Sequence, residues 1–129
     1  PWNIICALPA LWVGLLYDNK AQLEAYDLAK PFMNTSILEE GRISAAKYGL
    51  NGKLGSKNII DIAEEMLRIS SLGLERRNKL DERGIDERQF LDPLLNIVRN
   101  KRTGSETLLE KFNNIWQKNI DRIFSENAF

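Results

Sequence analysis

The sequence predicts an all-α fold, a compact bundle of five to six helices. Three observations carry that reading. Apolar residues recur at helical spacing, most clearly from Ser56 onward. Helix-start signals stand ahead of apolar stretches at Asp18, at Thr35 and Ser36, at Asp92-Pro93 and at Thr103-Gly104-Ser105-Glu106. No alternation of apolar and polar residues, the mark of a half-buried strand, persists over six residues.

The elements follow in order. Ile4 to Tyr17 is an uncharged apolar run, with LPALWVGLLYD its densest part. Uncharged runs of about 10–14 residues are typical of buried core, whereas a membrane span needs about 20. No basic region precedes the run and Pro9 interrupts it, unlike a signal peptide. A buried helix starting near Pro9 is therefore expected, because proline is tolerated in a first helical turn. Gly14 inside it costs about 1 kcal/mol relative to alanine, which points to a second backbone packed close by. Cys6 reads as a small buried hydrophobe.

Asp18 is placed to cap a second helix, from about Asn19 to Lys30, which Pro31 stops. Thr35 or Ser36 caps a third helix, with Glu39 at capping-box spacing from Ser36. Gly49, Gly52 and Gly55 mark a loop with Lys53. Ser56 opens the clearest helix, to about Leu80, with Ile59, Ile60, Ile62, Ala63, Met66, Leu67, Ile69 and Leu74 on one broad face. Glu64→Arg68 and Glu75→Lys79 have the favourable i,i+4 order. The mixed-sign run from Glu75 to Arg88 reads as a solvated helix end and turn at Gly84. Asp92 then caps a helix with Pro93 in its first turn. Thr103 to Glu106 starts another, expected to bury Leu108, Leu109 and Phe112 and to reach Trp116. Ile120, Ile123 and Phe124 fall on one face of a short final helix.

A chain of 129 residues is one domain's worth, so residues 1–129 are read as one unit. An apolar fraction of 43% is globular. Eighteen basic and eighteen acidic residues cancel, so no global field draws the chain to nucleic acid or an anionic membrane. One cysteine excludes an internal disulfide and fits a reducing cytoplasmic setting. The absence of histidine removes imidazole base catalysis, a Ser-His-Asp triad and a His-ligated zinc site.

Three constellations have a chemical reading, and each is weaker than its plain one. GLNGKLGSK lacks the phosphate-loop spacing, so Lys53 and Lys57 read as solvated. The pairs Arg76-Arg77 and Lys101-Arg102 are flanked by acids and read as surface charge. Asp61, Glu64 and Glu65 are of the type that holds Mg²⁺, but they lie on the solvent face of their helix.

The segment PWNIICALPALWVGLLYD resembles a motif of glutamate–cysteine ligases of the plant and proteobacterial type, approximately PWRRxCALPAxWVGLLYD. The later GLERRNKLDERGIDERQFLDPLLNIV is similar to the pattern GLxRR, GxDExxFLDPL and IV of the same family. Asn3 and Ile4 stand where that family has two arginines. Asn114, Arg122 and Phe129 depart from its Gly, Pro and Tyr. The resemblance implies the C-terminal helical part of a larger α+β ligase, with Pro1 falling inside a motif and the catalytic core upstream. It implies a parent enzyme that joins the glutamate γ-carboxylate to the cysteine amine through a γ-glutamyl phosphate, using ATP and Mg²⁺, as the first step of glutathione biosynthesis. It also places Trp12, Tyr17 and Asp18 beside substrate, with Trp12 the first choice. No catalytic residue, cofactor ligand or metal ligand is assigned to this stretch, and the chain alone is expected to be inactive. Neither nucleic acid nor a membrane is an expected partner. Self-association through the apolar N-terminal run is expected. The competing reading from residue pattern alone is an autonomous all-α interaction module without chemistry.

Overall fold

The computed structural model describes residues 2–127, and of Trp2, Asn3 and Asn127 the backbone only. Among the described residues there are seven α-helices and one minimal hairpin. The helices are α1 (Trp2–Leu16), α2 (Asn19–Ala29), α3 (Thr35–Tyr48), α4 (Ile59–Arg77), α5 (Asp92–Asn100), α6 (Gly104–Glu110) and α7 (Asp121–Asn127). Short 3-10 turns at Lys30–Phe32, Gly49–Asn51 and Glu87–Leu91 join them, and a π-helical turn, Lys111–Ile115, follows α6.

The long helix α4 is the axis of the molecule. It buries Leu67, Ile69, Ser70, Gly73 and Leu74, while α1, α2, α5 and the 3-10 turn before α5 pack around it. The core joins Ala10, Leu11 and Leu15 of α1 to Ala21, Leu67, Ile69, Leu74, Leu91 and Val98. The tight contact expected at Gly14 is real. A methyl group there would overlap the hydroxyl and carbonyl oxygens of Ser70, and one on Gly73 would overlap the carbonyl oxygen of Gly14. Ser70, fully buried, donates its Oγ hydrogen bond to the Leu11 carbonyl at 2.9 Å.

Several expectations are corrected. The first helix starts at Trp2, not near Pro9, and carries Pro9 in its interior. An interior proline costs about 3 kcal/mol; burial of Ala7, Ala10, Leu11 and Leu15 against the rest of the core offsets it. Nor is the apolar run buried all round. Cys6 is exposed, and Ile4, Ile5, Leu8, Trp12 and Leu16 are each about half exposed. The bundle covers one side of α1 only.

The third helix is capped by Asn34, whose Oδ1 accepts from Ser36 N at 2.9 Å, so neither Thr35 nor Ser36 is the cap. Asn34 reaches the free amide two residues on, while Glu39 turns to Arg42. At Gly41 the bare backbone admits the Leu54 side chain. The glycine loop forms two-residue antiparallel strands, β1 (Lys53–Leu54) and β2 (Lys57–Asn58), with Gly55 at positive φ in the turn. They are too short to change the class. α4 opens after Asn58, not at Ser56, and closes at Asn78 in the left-handed conformation. Arg68 pairs with Glu65 and with Glu24 of α2, not with Glu64, and Glu75 pairs with Arg88, not Lys79. At α5 the preceding 3-10 turn runs directly into the helix, so Leu91 rather than Asp92 holds the cap position.

The Thr103–Glu106 capping box forms as expected, with both reciprocal bonds. Beyond it, Leu108 and Leu109 are exposed instead of buried, because α6 contacts mainly the turn that follows it. Trp116 is buried, whereas Ile120 and Phe124 are exposed.

Candidate functional site

The three residues singled out by sequence fall into two neighbouring places. Trp12 projects from α1 into a groove of about 390 Å³ between α1, α2, α3 and α4. Leu16, Leu28, Phe32, Leu38 and Met66 are among its walls, and every lining side chain is apolar. Trp12 is 49% exposed, so its ring forms a face of the groove rather than part of the core.

Tyr17 and Asp18 do not line that groove. They end α1 and meet the C-terminal end of α4. Arg77 lies over the Tyr17 ring at 5.4 Å, within cation–π range. Arg76 holds the Asp18 carboxylate from Nε at 2.9 Å and from an Nη at 2.6 Å. The same Asp18 oxygen accepts from Ala21 N at 2.9 Å, capping α2. Arg76 first, and the Ala21 amide next, keep the Asp18 carboxyl below the usual carboxylate range. Arg77 also pairs with Glu87 at 2.9 Å, which ties in the turn before α5. Asp18 is thus engaged on both sides by protein. Its geometry serves helix capping and the anchoring of α4 onto α1 and α2.

Sequence reading missed this use of Arg76 and Arg77. Their partners Tyr17 and Asp18 lie some 58 positions away, and spacing along the chain carries no sign of it. The carboxylates read as possible Mg²⁺ ligands are on the surface, Glu65 in a two-point pair with Arg68. Among the described residues no three of His, Cys, Asp or Glu converge as a metal-ligand set.

A family model, glutamate-cysteine ligase family 2, matches residues 1–126. The chain belongs to this family. It is 34% identical over 129 residues to the chloroplastic glutamate–cysteine ligase of Medicago truncatula, and 35% identical over 126 residues to that of Arabidopsis thaliana. It is also 35% identical over 126 residues to ligase A of Oryza sativa subsp. indica. These matches cover 98% of this chain but only 23–24% of each relative, so it spans about a quarter of the length of the curated relatives it matches. Trp12, Tyr17 and Asp18 all lie in the WVGLLYD segment, Trp12 within α1 and Tyr17 and Asp18 just after its end. No helix among the described residues is long and apolar enough to cross a membrane.

Proposed function

We propose that this chain is the C-terminal helical part of an ATP-dependent glutamate–cysteine ligase, supplying an apolar wall to the catalytic region. The parent reaction joins the glutamate γ-carboxylate to the cysteine amine through a γ-glutamyl phosphate. The nucleotide and Mg²⁺ are held by sequence outside this chain, and the chain alone does not ligate. The observation that carries the reading is the uncovered side of α1. Ile4, Ile5, Leu8, Trp12 and Leu16 leave a helix-long apolar stripe that soluble single domains rarely expose. Relatives about four times longer have the polypeptide to cover it. Trp12 stands at that boundary with one ring face open, as a substrate-adjacent aromatic would. Tyr17 and Asp18 fix the end of the helix that presents it. Freed of the rest, the stripe pairs with a second copy. The cytoplasmic placement rests on the single cysteine, and the names of the relatives place those proteins in chloroplasts.

The test uses a complete ligase of this family carrying this chain. Trp12→Ala lowers kcat/KM for glutamate or cysteine with little change in melting temperature. Trp116→Ala, at a residue only 2% exposed, lowers melting temperature instead. Equal activity losses at matched folded fraction would reduce Trp12 to a packing residue. Ligation by the isolated 129 residues would overturn the view of this chain as a partial enzyme.

A further inference from the structure

Ile4, Leu8, Trp12 and Leu16 are spaced four residues apart along α1, and each is about half exposed. Residues at that spacing stand one above another on a helix. The four therefore form one apolar ridge, about 18 Å long at about 1.5 Å per residue. No residue of α1 is charged.

The two ends of the ridge differ in chemistry. Trp12 and Leu16 border the all-apolar groove between α1, α2, α3 and α4. Ile4 borders a larger hollow, of about 750 Å³, between α1, α5 and α6. Asn96, Asn100, Arg102, Thr107 and Lys111 are on its walls, and no carboxylate lines it. Arg102 is shared with Glu110 at 2.6 Å, which does not line the hollow. Lys111 has the Trp116 ring at 5.9 Å and no carboxylate partner among the described residues. One end of the ridge is thus dry and the other cationic.

That difference chooses among occupants. A second copy paired ridge to ridge about a two-fold axis lies parallel or antiparallel. In the parallel pairing the cations of one chain face those of the other. In the antiparallel pairing they face the partner's apolar groove. Both leave Arg102 and Lys111 without an opposite charge, and covering an unpaired cation is unfavourable. A small anion in the hollow answers the charge but leaves the apolar ridge in water. Relatives about four times longer than this chain have polypeptide enough to span both ends.

We infer that one amphipathic segment of the same polypeptide, outside these 129 residues, lies along the ridge. Its apolar side chains meet Leu8 and Leu16, and a carboxylate at its other end meets Arg102 and Lys111. The inference rests on the reading of this chain as part of a longer ligase. It adds the partner's polarity, apolar toward α2 and α3 and acidic toward α5 and α6.

The test is cross-linking in a complete ligase of this family carrying this chain, prepared from mixed ¹⁴N and ¹⁵N chains. Leu8 is replaced by a diazirine analogue of leucine, close to it in shape. In a separate sample a carbodiimide joins Lys111 to a carboxylate in direct contact. Mass spectrometry then locates both partners. Both cross-links reach one segment outside residues 1–129, within chains of a single isotope. Lys111→Arg, which keeps the charge but has no amine to acylate, abolishes the second cross-link and spares the first. Adducts of position 8 that join ¹⁴N to ¹⁵N chains give the face to a second copy and overturn the inference. So does reaction of position 8 with solvent alone, a Lys111 cross-link confined to residues 1–129, or two cross-links that reach different segments. The readout is mass, not activity, so failure here leaves the parent ligase intact as a reading; that reading fails by the separate test of ligation by the isolated chain.

Discussion

At the scale of single residues, the contact between Gly14 and Ser70 is among the tightest described. Alanine at position 14 gains up to about 1 kcal/mol of helix propensity. It also drives a methyl group into Ser70 Oγ and into the backbone carbonyl behind it, neither of which is the far end of a flexible side chain. The overlap wins, and Gly14→Ala destabilises by about 1–3 kcal/mol or more. Gly104→Ala is the control, because nothing lies within 4 Å of its added methyl group. Urea melts giving equal midpoints for the two variants would contradict this account. That Gly14 marks a close approach was legible in the sequence, since a glycine in a helix costs stability that something must recover. That Ser70 and Gly73 are its partners was not, because nothing local encodes which turn of which helix arrives. The two tryptophans were harder still. Trp12 lies in the densest apolar run yet is half exposed, and Trp116 lies in a polar stretch yet is buried. Residue type gives the tendency to bury, and only the arrangement of neighbours gives the outcome.

Among elements, α4 carries the packing. Leu67 is 4% exposed and sits in the middle of the core, so Leu67→Ala leaves a cavity and costs about 2–5 kcal/mol. Glu64, on the solvent side of the same helix, changes stability by no more than about 0.5 kcal/mol when replaced by alanine. Comparable losses in chemical denaturation would mean the two faces are reversed. The apolar face of α4 was readable because its 3.6-residue period runs for several turns. Capping was readable where the side chain had one amide in reach. Thr103 with Glu106, and Asp18 before α2, are such cases. At α3 the sequence points only to Thr35 and Ser36, and the cap is the residue before them, Asn34. Pro9 misled for a different reason. Local chemistry disfavours it inside a helix, and long-range burial of α1 overrules the local preference.

For the whole molecule, acid sensitivity follows from how the carboxylates are held. Asp18 and Asp86 are held down chiefly by Arg76 and Arg88, and Glu65 by Arg68. Asp81 is lowered well below the usual range, first by the Ile85 amide and then by Arg83. Glu106 is lowered by the Thr103 amide and hydroxyl. Each has a folded pKa below its unfolded value. Its stabilisation is therefore complete above the unfolded values of about 3.9–4.3 and is lost as pH falls below them. The melting temperature should be level between about pH 5 and pH 8 and drop below about pH 4, less steeply in Asp81→Asn. An unchanged melting temperature at pH 3 would refute this. Of these, Asp18–Arg76 ties α4 to the start of α2, while the partners of Glu65, Asp86, Asp81 and Glu106 lie within the same helix or turn, so the long-range part of the acid response falls on the core unit of α1, α2 and α4.

The stretch from residue 104 to 127 stands outside that unit. Beyond Val98, Trp116 is the one buried residue described, and α6 touches mainly the turn that follows it. A region held by one indole has its own opening equilibrium, separate from global unfolding. Amides of α6 and α7 should exchange with deuterium far sooner than those of Leu67 or Leu74. Trypsin should cut after Lys101 or Arg102 while the core of α1, α2, α4 and α5 stays folded. Whatever seats Trp116 more firmly then slows both processes, so the lifetime of the closed end of the chain is set by one side chain, with the core itself unmoved.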